Sequence, residues 1–253
     1  MNRIQKILKM FNLQSIEFND YINIMESYPE GREFMDLIDI LDVEGPLNTD
    51  WEKIYNVMSK NIEISQLITC FSNYKIYKGV LEWFEEQGFC PESILDIGCN
   101  NGLFTIALSK LLGNVDIFGI DYALNAIKVA KKIAKKYKIS NSHFIHADIN
   151  IFNSFSELKH VDMIIVPFLF HEIISFQESN WKAINDNIKM ISTCNTKLIT
   201  VNRFLNIESD CNHLCAYLKE SNFVELERDI IKIDSADKDK EYEYFPVQVF
   251  SYR

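Results

Sequence analysis

From Ile94 onward the sequence alternates short apolar runs with stretches of helical period, and that texture confines it to βαβ units built on a parallel sheet. ILDI at 94–97 reads as a first strand, followed by a glycine-containing turn and a helix over 103–112. DIFGID (116–121) and a lysine-rich helix over 124–137 come next. The runs 142–148 and 161–168 read as a third and a fourth strand, both apolar enough to be expected at the centre of the sheet. A helix through Trp181 to Ile191 leads to a fifth strand at 196–202. The last third reads as a helix over 208–220, a strand over 223–233, a charged hairpin-like stretch at 235–243 and a strand over 245–252. No crossover helix fits between those final strands, so they must pair antiparallel. The expected fold is α/β: a doubly wound, seven-stranded, mostly parallel Rossmann-like sheet whose last strand is antiparallel.

Residues 1–89 have a different texture and read as helices. Ile4, Ile7, Leu8 and Phe11 make one apolar face at helical spacing, and Phe34, Leu37, Ile38 and Leu41 make another. Thr49 with Glu52 is a capping box opening a helix near Trp51, and a further helix over Tyr77 to Glu86 stops at Gly88. The chain therefore divides into a helical N-terminal extension, 1–89, serving as a lid or a homodimer surface, and a sheet domain, 90–253.

A formal net charge of −10 sets the overall field against phosphate backbones and anionic lipid, which makes nucleic acid an unfavoured partner. Lys128, Lys131, Lys132, Lys135, Lys136 and Lys138 form a basic run, read as a solvated helix face. No run approaches the roughly 18 consecutive apolar residues of a membrane span, and the basic N-terminus lacks the apolar core of a signal peptide. Six cysteines without a CxxC pair read as reduced thiols of a cytoplasmic protein. Cys211, His213 and Cys215 do not read as a metal site, because 211 and 215 share a helix face, 213 points away, and no fourth donor is evident; no metal is expected.

Chemistry concentrates in Asp96-Ile97-Gly98-Cys99-Asn100-Asn101-Gly102, set between an apolar strand and a helix. Gly98 and Gly102 let the backbone turn tightly and approach a ligand lying across the carboxyl end of the strand. Asp121 ends the second strand, where a carboxylate can accept both hydroxyls of a ribose, and Asp148 ends the third. Three consecutive strands each closing on an acid form a more specific pattern than any one of them.

On these residues the chain resembles the class I S-adenosylmethionine-dependent methyltransferases, over 92–253. Asp96, Gly98 and Gly102 match the family's first motif, GIDYA with Asp121 its second, HADI with Asp148 its third and VDMIIVPFLFHE its fourth. Asn100 departs from the first motif, where the middle position is usually glycine; asparagine tolerates the left-handed backbone better than other residues, so the turn is expected to survive. The resemblance implies S-adenosylmethionine as cofactor and S-adenosylhomocysteine as product. Asp96 and Gly98 would line the methionine moiety, with Cys99, Asn100 and Gly102 in the same turn; Asp121 would bind ribose, and Tyr122 would lie against adenine. Asp148 would bond the adenine amino group with Ile149 beside it. A nicotinamide dinucleotide fold also places an acid about 20 residues beyond a glycine-rich turn. Its Gly-x-Gly-x-x-Gly is absent here, and it leaves Asp148 and the antiparallel final strands unexplained.

Methyl transfer from a sulfonium is an in-line displacement that needs a base only when the acceptor must lose a proton. His171, just after the fourth strand, is placed for that task, since a histidine's unperturbed pKa of ~6.5 lets it accept a proton at neutral pH; hydrogen bonding to a loop or capping of the next helix are the alternatives. Glu172 reads as its structural partner. Pro167 and Phe168 would wall the methyl group, Phe168 being equally suited to the core, and Tyr74 and Tyr77 would lie near the cofactor. His171 tilts the expected reaction toward O-methylation of a small, aromatic or otherwise apolar acceptor. The absence of an Asn-Pro-Pro-Tyr-like tetrapeptide after the fourth strand disfavours nucleic-acid amino groups. A catalytically inactive partner protein that keeps the cofactor site, and a nucleic-acid methyltransferase, are the alternatives.

Overall fold

Seven segments extend and pair: β1 (Ser93–Ile97), β2 (Asp116–Asp121), β3 (Ser142–His146), β4 (Met163–Pro167), β5 (Lys197–Val201), β6 (Phe223–Asp234) and β7 (Tyr242–Tyr252). In the computed structural model, which describes residues 1–44, 51–58, 60, 62–156, 158–170, 173, 180–204, 206–234 and 241–253, they form one sheet in the order β3-β2-β1-β4-β5-β7-β6. Thr49 of the expected capping box and 235–240 of the charged stretch lie outside the described residues, as do His171 and Glu172. β2 and β4 flank β1 in parallel, β3 and β5 extend the sheet in parallel, and β7 runs antiparallel to both β5 and β6. The strand order reverses beside β1, which opens a crevice at the carboxyl ends of β1 and β4.

The expectation for the third strand fails. The 142–148 run is not central: β3 is an edge strand in which Ser142 and Phe144 are buried and His143 is exposed. Its apolar character is used on one face, where the Phe144 ring lies over two glycines; a Cβ added at Gly102 or Gly119 would come within 2.6 or 2.8 Å of it. Composition records that a residue is buried and not what lies beside it. The 161–168 run does supply a central strand, with Met163 to Val166 buried. The last hairpin is longer than read, since β7 already begins at Tyr242.

Helices cover both faces of the sheet. Those of the first third are α1 (Arg3–Met10), α2 (Phe18–Ser27), α3 (Pro29–Glu44), α4 (Trp51–Met58), α5 (Ile62–Ile68) and α6 (Tyr74–Gln87), with a five-residue π-helix, Thr69–Asn73, joining α5 to α6. Threonine and serine hydroxyls bind back to carbonyls four residues earlier in this widened turn, Thr69 to Ser65 (2.9 Å) and Ser72 to Ile68 (2.7 Å). Gly88 ends α6 in the left-handed conformation, φ +64°. Between and after the strands come α7 (Leu103–Leu112), α8 (Leu124–Lys136), α9 (Trp181–Ile191) and α10 (Ile207–Lys219). Among the described residues no helix is long and apolar enough to cross a membrane.

Alternate residues of β1 feed opposite cores, as a period of two demands. Ile94 joins Ile4, Ile7, Leu8 and Phe11 of the N-terminal segment with buried side chains of α6, α7 and α8. Leu95 and Ile97 join Ile184, Ile188 and Ile191 of α9 and Leu214 and Leu218 of α10. A separate cluster inside α2 to α5 gathers Tyr21, Met25, Phe34, Leu37, Ile54 and Ile64. The two apolar faces read from the sequence thus serve different cores: the first packs into the sheet domain, the second holds the helices to one another.

Candidate active site

At the carboxyl ends of β1, β2, β3 and β4 lies a cavity of about 630 Å³. Its floor is the turn after β1. The backbone N–H groups of Gly98 and Cys99 both donate to the carbonyl of Ile120, each at 2.9 Å, which lays the turn on the end of β2. Gly98, Asn100 and Gly102 all take positive φ, +80°, +47° and +73°. The expected turn therefore survives with asparagine at its middle position. Gly102 sits against Phe144 and Ala130, where an added Cβ would approach within 2.6 and 2.7 Å, and it does not line the cavity. Asn101 faces the other way: its Nδ2 donates to Thr69 Oγ1 (3.2 Å) and the Ser65 carbonyl (3.4 Å), tying the turn to α5 and the π-helix.

The three acids differ in how their oxygens are used. Asp96 is fully buried; Thr105 Oγ1 donates to its Oδ2 at 2.6 Å, and Oδ1 has no partner. Burial pushes its carboxyl up to about 7, with the Thr105 hydrogen bond opposing and the Asp121 charge adding to the rise. Asp121 accepts the N–H of Ala123 on Oδ1 (2.8 Å) and of Asn100 on Oδ2 (2.9 Å). Burial raises its carboxyl, while those two N–H groups and His146 hold it down. Asp148, two residues beyond the end of β3, accepts the N–H of Asn150 on Oδ1 at 2.8 Å.

Tyr77, Asp96, Gly98, Cys99, Asn100, Asp121, Tyr122, Asp148, Ile149 and Pro167 all line the cavity. Tyr77 is buried with its ring 5.2 Å from that of Phe104, and its hydroxyl is pushed up by burial and by the nearby Asp96. Tyr74, its expected companion, packs against the core instead. Phe168 is both wall and core. It lines the cavity at φ +61°, rare for a bulky side chain, held by its N–H to the Val201 carbonyl (2.7 Å) and edge-on to Phe245 at 5.8 Å. Between described Phe170 and Ile173, His171 and Glu172 are outside the described residues, while Ile173 lines the cavity.

Met58, Asn73, Phe104, Leu169 and Asn150 also line it and were not singled out in the sequence. Met58 and Asn73 come from helices whose inward-facing residues carry no mark separating cavity wall from core. Asn73 closes the π-helix, and nothing in residue type signals that extra residue per turn. Elsewhere, Cys211 is buried, Cys215 donates its thiol to Glu225 (3.2 Å), His213 is exposed, and the lysines of the basic run all face solvent.

Residues 91–223 match the family model for a methyltransferase domain, more than half of the chain. The chain belongs to this methyltransferase-domain family. This methyltransferase is 30% identical over 77 residues to the release factor glutamine methyltransferase of Buchnera aphidicola; that stretch is 30% of this chain and 27% of that protein's length. Its fold is similar to that of a TehB-like S-adenosylmethionine-dependent methyltransferase from Corynebacterium glutamicum, with TM-score 0.55, 16% identity, and coverage of 77% of this chain and 98% of that one. A second similar fold is an S-adenosylmethionine-dependent methyltransferase from Aquifex aeolicus, with TM-score 0.51, 17% identity, and coverage of 68% and 89%. At such identities these two structures speak for the fold alone.

Proposed function

We propose that this methyltransferase binds S-adenosylmethionine in the cavity at the carboxyl ends of β1, β2, β3 and β4 and methylates a small-molecule acceptor. One observation carries the reading: three strand-end acids and the glycine turn line a single cavity of about 630 Å³. The residues fit the cofactor. Asp96 Oδ1 is a buried acceptor awaiting a donor, and a Cβ at Gly98 would crowd Leu169 at 3.3 Å across the space. Asp96, Gly98, Cys99 and Asn100 would hold the methionine end, and Gly102 would shape the turn from behind. Asp121, fixed by two N–H groups, would hold the ribose hydroxyls. Tyr122, Asp148 and Ile149 would enclose adenine, with Pro167 and Tyr77 closing the methyl end.

The bound cofactor supplies an activated methyl group on a sulfonium. The protein's part is to hold an acceptor in line and exclude water, and Met58, Asn73 and Tyr77 on the cavity wall support a lid role for the helices of 1–89. Exposed Phe18, Ile24 and Ile40 support the same segment as a homodimer surface. In this reading His171 takes the acceptor's proton with Glu172 as its structural partner, which favours oxygen acceptors. The net charge of −10 favours a small molecule over a polyanion, and six free thiols favour a reducing, cytoplasmic setting.

Calorimetric titration with S-adenosylhomocysteine tests the cofactor site. Wild type should bind in the micromolar range and Asp121→Ala should lose at least about tenfold, the scale of a charge-assisted hydrogen bond. Folded wild type that does not bind sinks the reading. Labelled methyl transfer to a panel of small phenols, amines and carboxylates, with His171→Ala in parallel, then separates an active enzyme from an inactive partner protein.

A further inference from the structure

The sequence from 15 to 52 holds eleven acids and one arginine, a charge of −10 that equals the formal net charge of the whole chain. Between Asp121 and Asp148 there is no acid, and Lys128, Lys131, Lys132, Lys135, Lys136 and Lys138 lie on α8 or just after it. All six lysines are exposed, and none is in an ion pair among the described residues. Glu17, Asp20 and Glu26 of the α2 segment and Asp36 and Asp39 of α3 are exposed and without ion pairs in the same sense.

The two charged surfaces are neighbours that do not meet. α3 packs on α4 and α4 packs on α8, where Asn125 Nδ2 donates to Asn56 Oδ1 at 3.1 Å, so α4 stands between them. On α3 the inward residues Phe34 and Leu37 leave Asp36, Asp39, Ile40 and Val43 facing out at helical spacing, with Ile40 and Val43 47% and 86% exposed. Leu124, 47% exposed, opens α8. Opposite charges one helix apart, each surface carrying exposed apolar side chains, make a self-complementary face. A two-fold axis over α4 sets each α8 on the other copy's α3 and answers both signs at once. A polyanion would answer the lysines alone and be repelled by the acids beside them.

We propose that a second copy of this chain covers both surfaces, the lysine face of α8 in each copy lying on α2 and α3 of the other in a two-fold dimer. The inference rests on the reading of the N-terminal helices as a homodimer surface and supplies the surface that they meet.

Sedimentation velocity on the full chain at micromolar protein tests it by charge exchange. Wild type should sediment as a dimer that weakens as sodium chloride rises, because exposed charge pairs are screened. One variant reverses α8 (Lys131→Glu, Lys132→Glu, Lys135→Glu) and another reverses α3 (Asp36→Lys, Asp39→Lys); each alone sets like charges face to face and should weaken the dimer by about tenfold or more. In an equimolar mixture both contacts become attractive again, so the two variants should sediment together as a dimer. Unchanged urea midpoints show that both are folded. A wild-type dimer that the α8 reversal leaves intact, or a mixture that stays monomeric, overturns the pairing and leaves the N-terminal homodimer reading standing. Wild type that stays monomeric at low salt overturns both, whether or not a labelled single-stranded RNA then binds α8.

Discussion

Asp96 carries two burdens, a place in the cavity wall and full burial. Its carboxyl titrates near 7 against an ordinary value of 3.8, so between about pH 4 and 7 the folded chain holds a proton that the unfolded chain has released. Stability from this group is therefore complete at low pH and is lost as pH rises through 7. Asp121, shifted the same way, adds to the effect, while Tyr77 and Cys99, whose own ionisation is pushed upward, stay neutral across the window. The urea midpoint of the ligand-free protein should fall more steeply from pH 5 to 7.5 in wild type than in Asp96→Asn. Parallel profiles would show that Asp96 does not hold the proton. S-adenosylhomocysteine, a zwitterion of no net charge whose ammonium would face the carboxylate, should bind more tightly over the same rise. The acids were legible in the sequence because a strand end fixes where an acid points. Asn73 and Met58 were not, since a cavity-facing residue on a helix looks like any other inward residue until its neighbours are known.

The β1–α7 unit shows how two glycines in one turn do different work. Gly98 keeps the cavity side clear, and Gly102 lets α7 and α8 close on the Phe144 ring. Gly88 is a control, with a left-handed φ of +64° and no atom within 4 Å of an added Cβ. Gly88→Ala should cost about 1–2 kcal/mol, the conformational penalty alone. Gly102→Ala should cost about 1–3 kcal/mol more, because overpacking is added to the same penalty. Urea unfolding of the two variants measures the difference, and equal losses would mean that the Phe144 contact relaxes freely. Strands and helices from Ile94 onward were readable because period and punctuation agree there, as in 103–112 and 116–121, which match α7 and β2. The place of β3 was not, because strand order depends on which helix crosses which face.

Across the molecule, the helical first third is not a shell around a finished domain. Ile4, Ile7, Leu8, Phe11 and Leu13 are buried in the core that holds the sheet's inner face to α6, α7 and α8. Fully burying five such side chains contributes on the order of 7–15 kcal/mol, comparable with the entire stability of a typical domain. A chain starting at residue 14 should therefore lack a cooperative urea transition by tyrosine and tryptophan fluorescence; a sharp transition at the wild-type midpoint would show that α1 is dispensable. The same economy of contacts joins the turn to the helices above it. Asn101 fastens the floor of the cavity to Ser65 and Thr69, so a guest that steadies residues 98–102 also steadies a helix it never touches. Linkage makes any such coupling reciprocal: whatever steadiness a guest lends to α5, the ordering of α5 returns to the guest's binding.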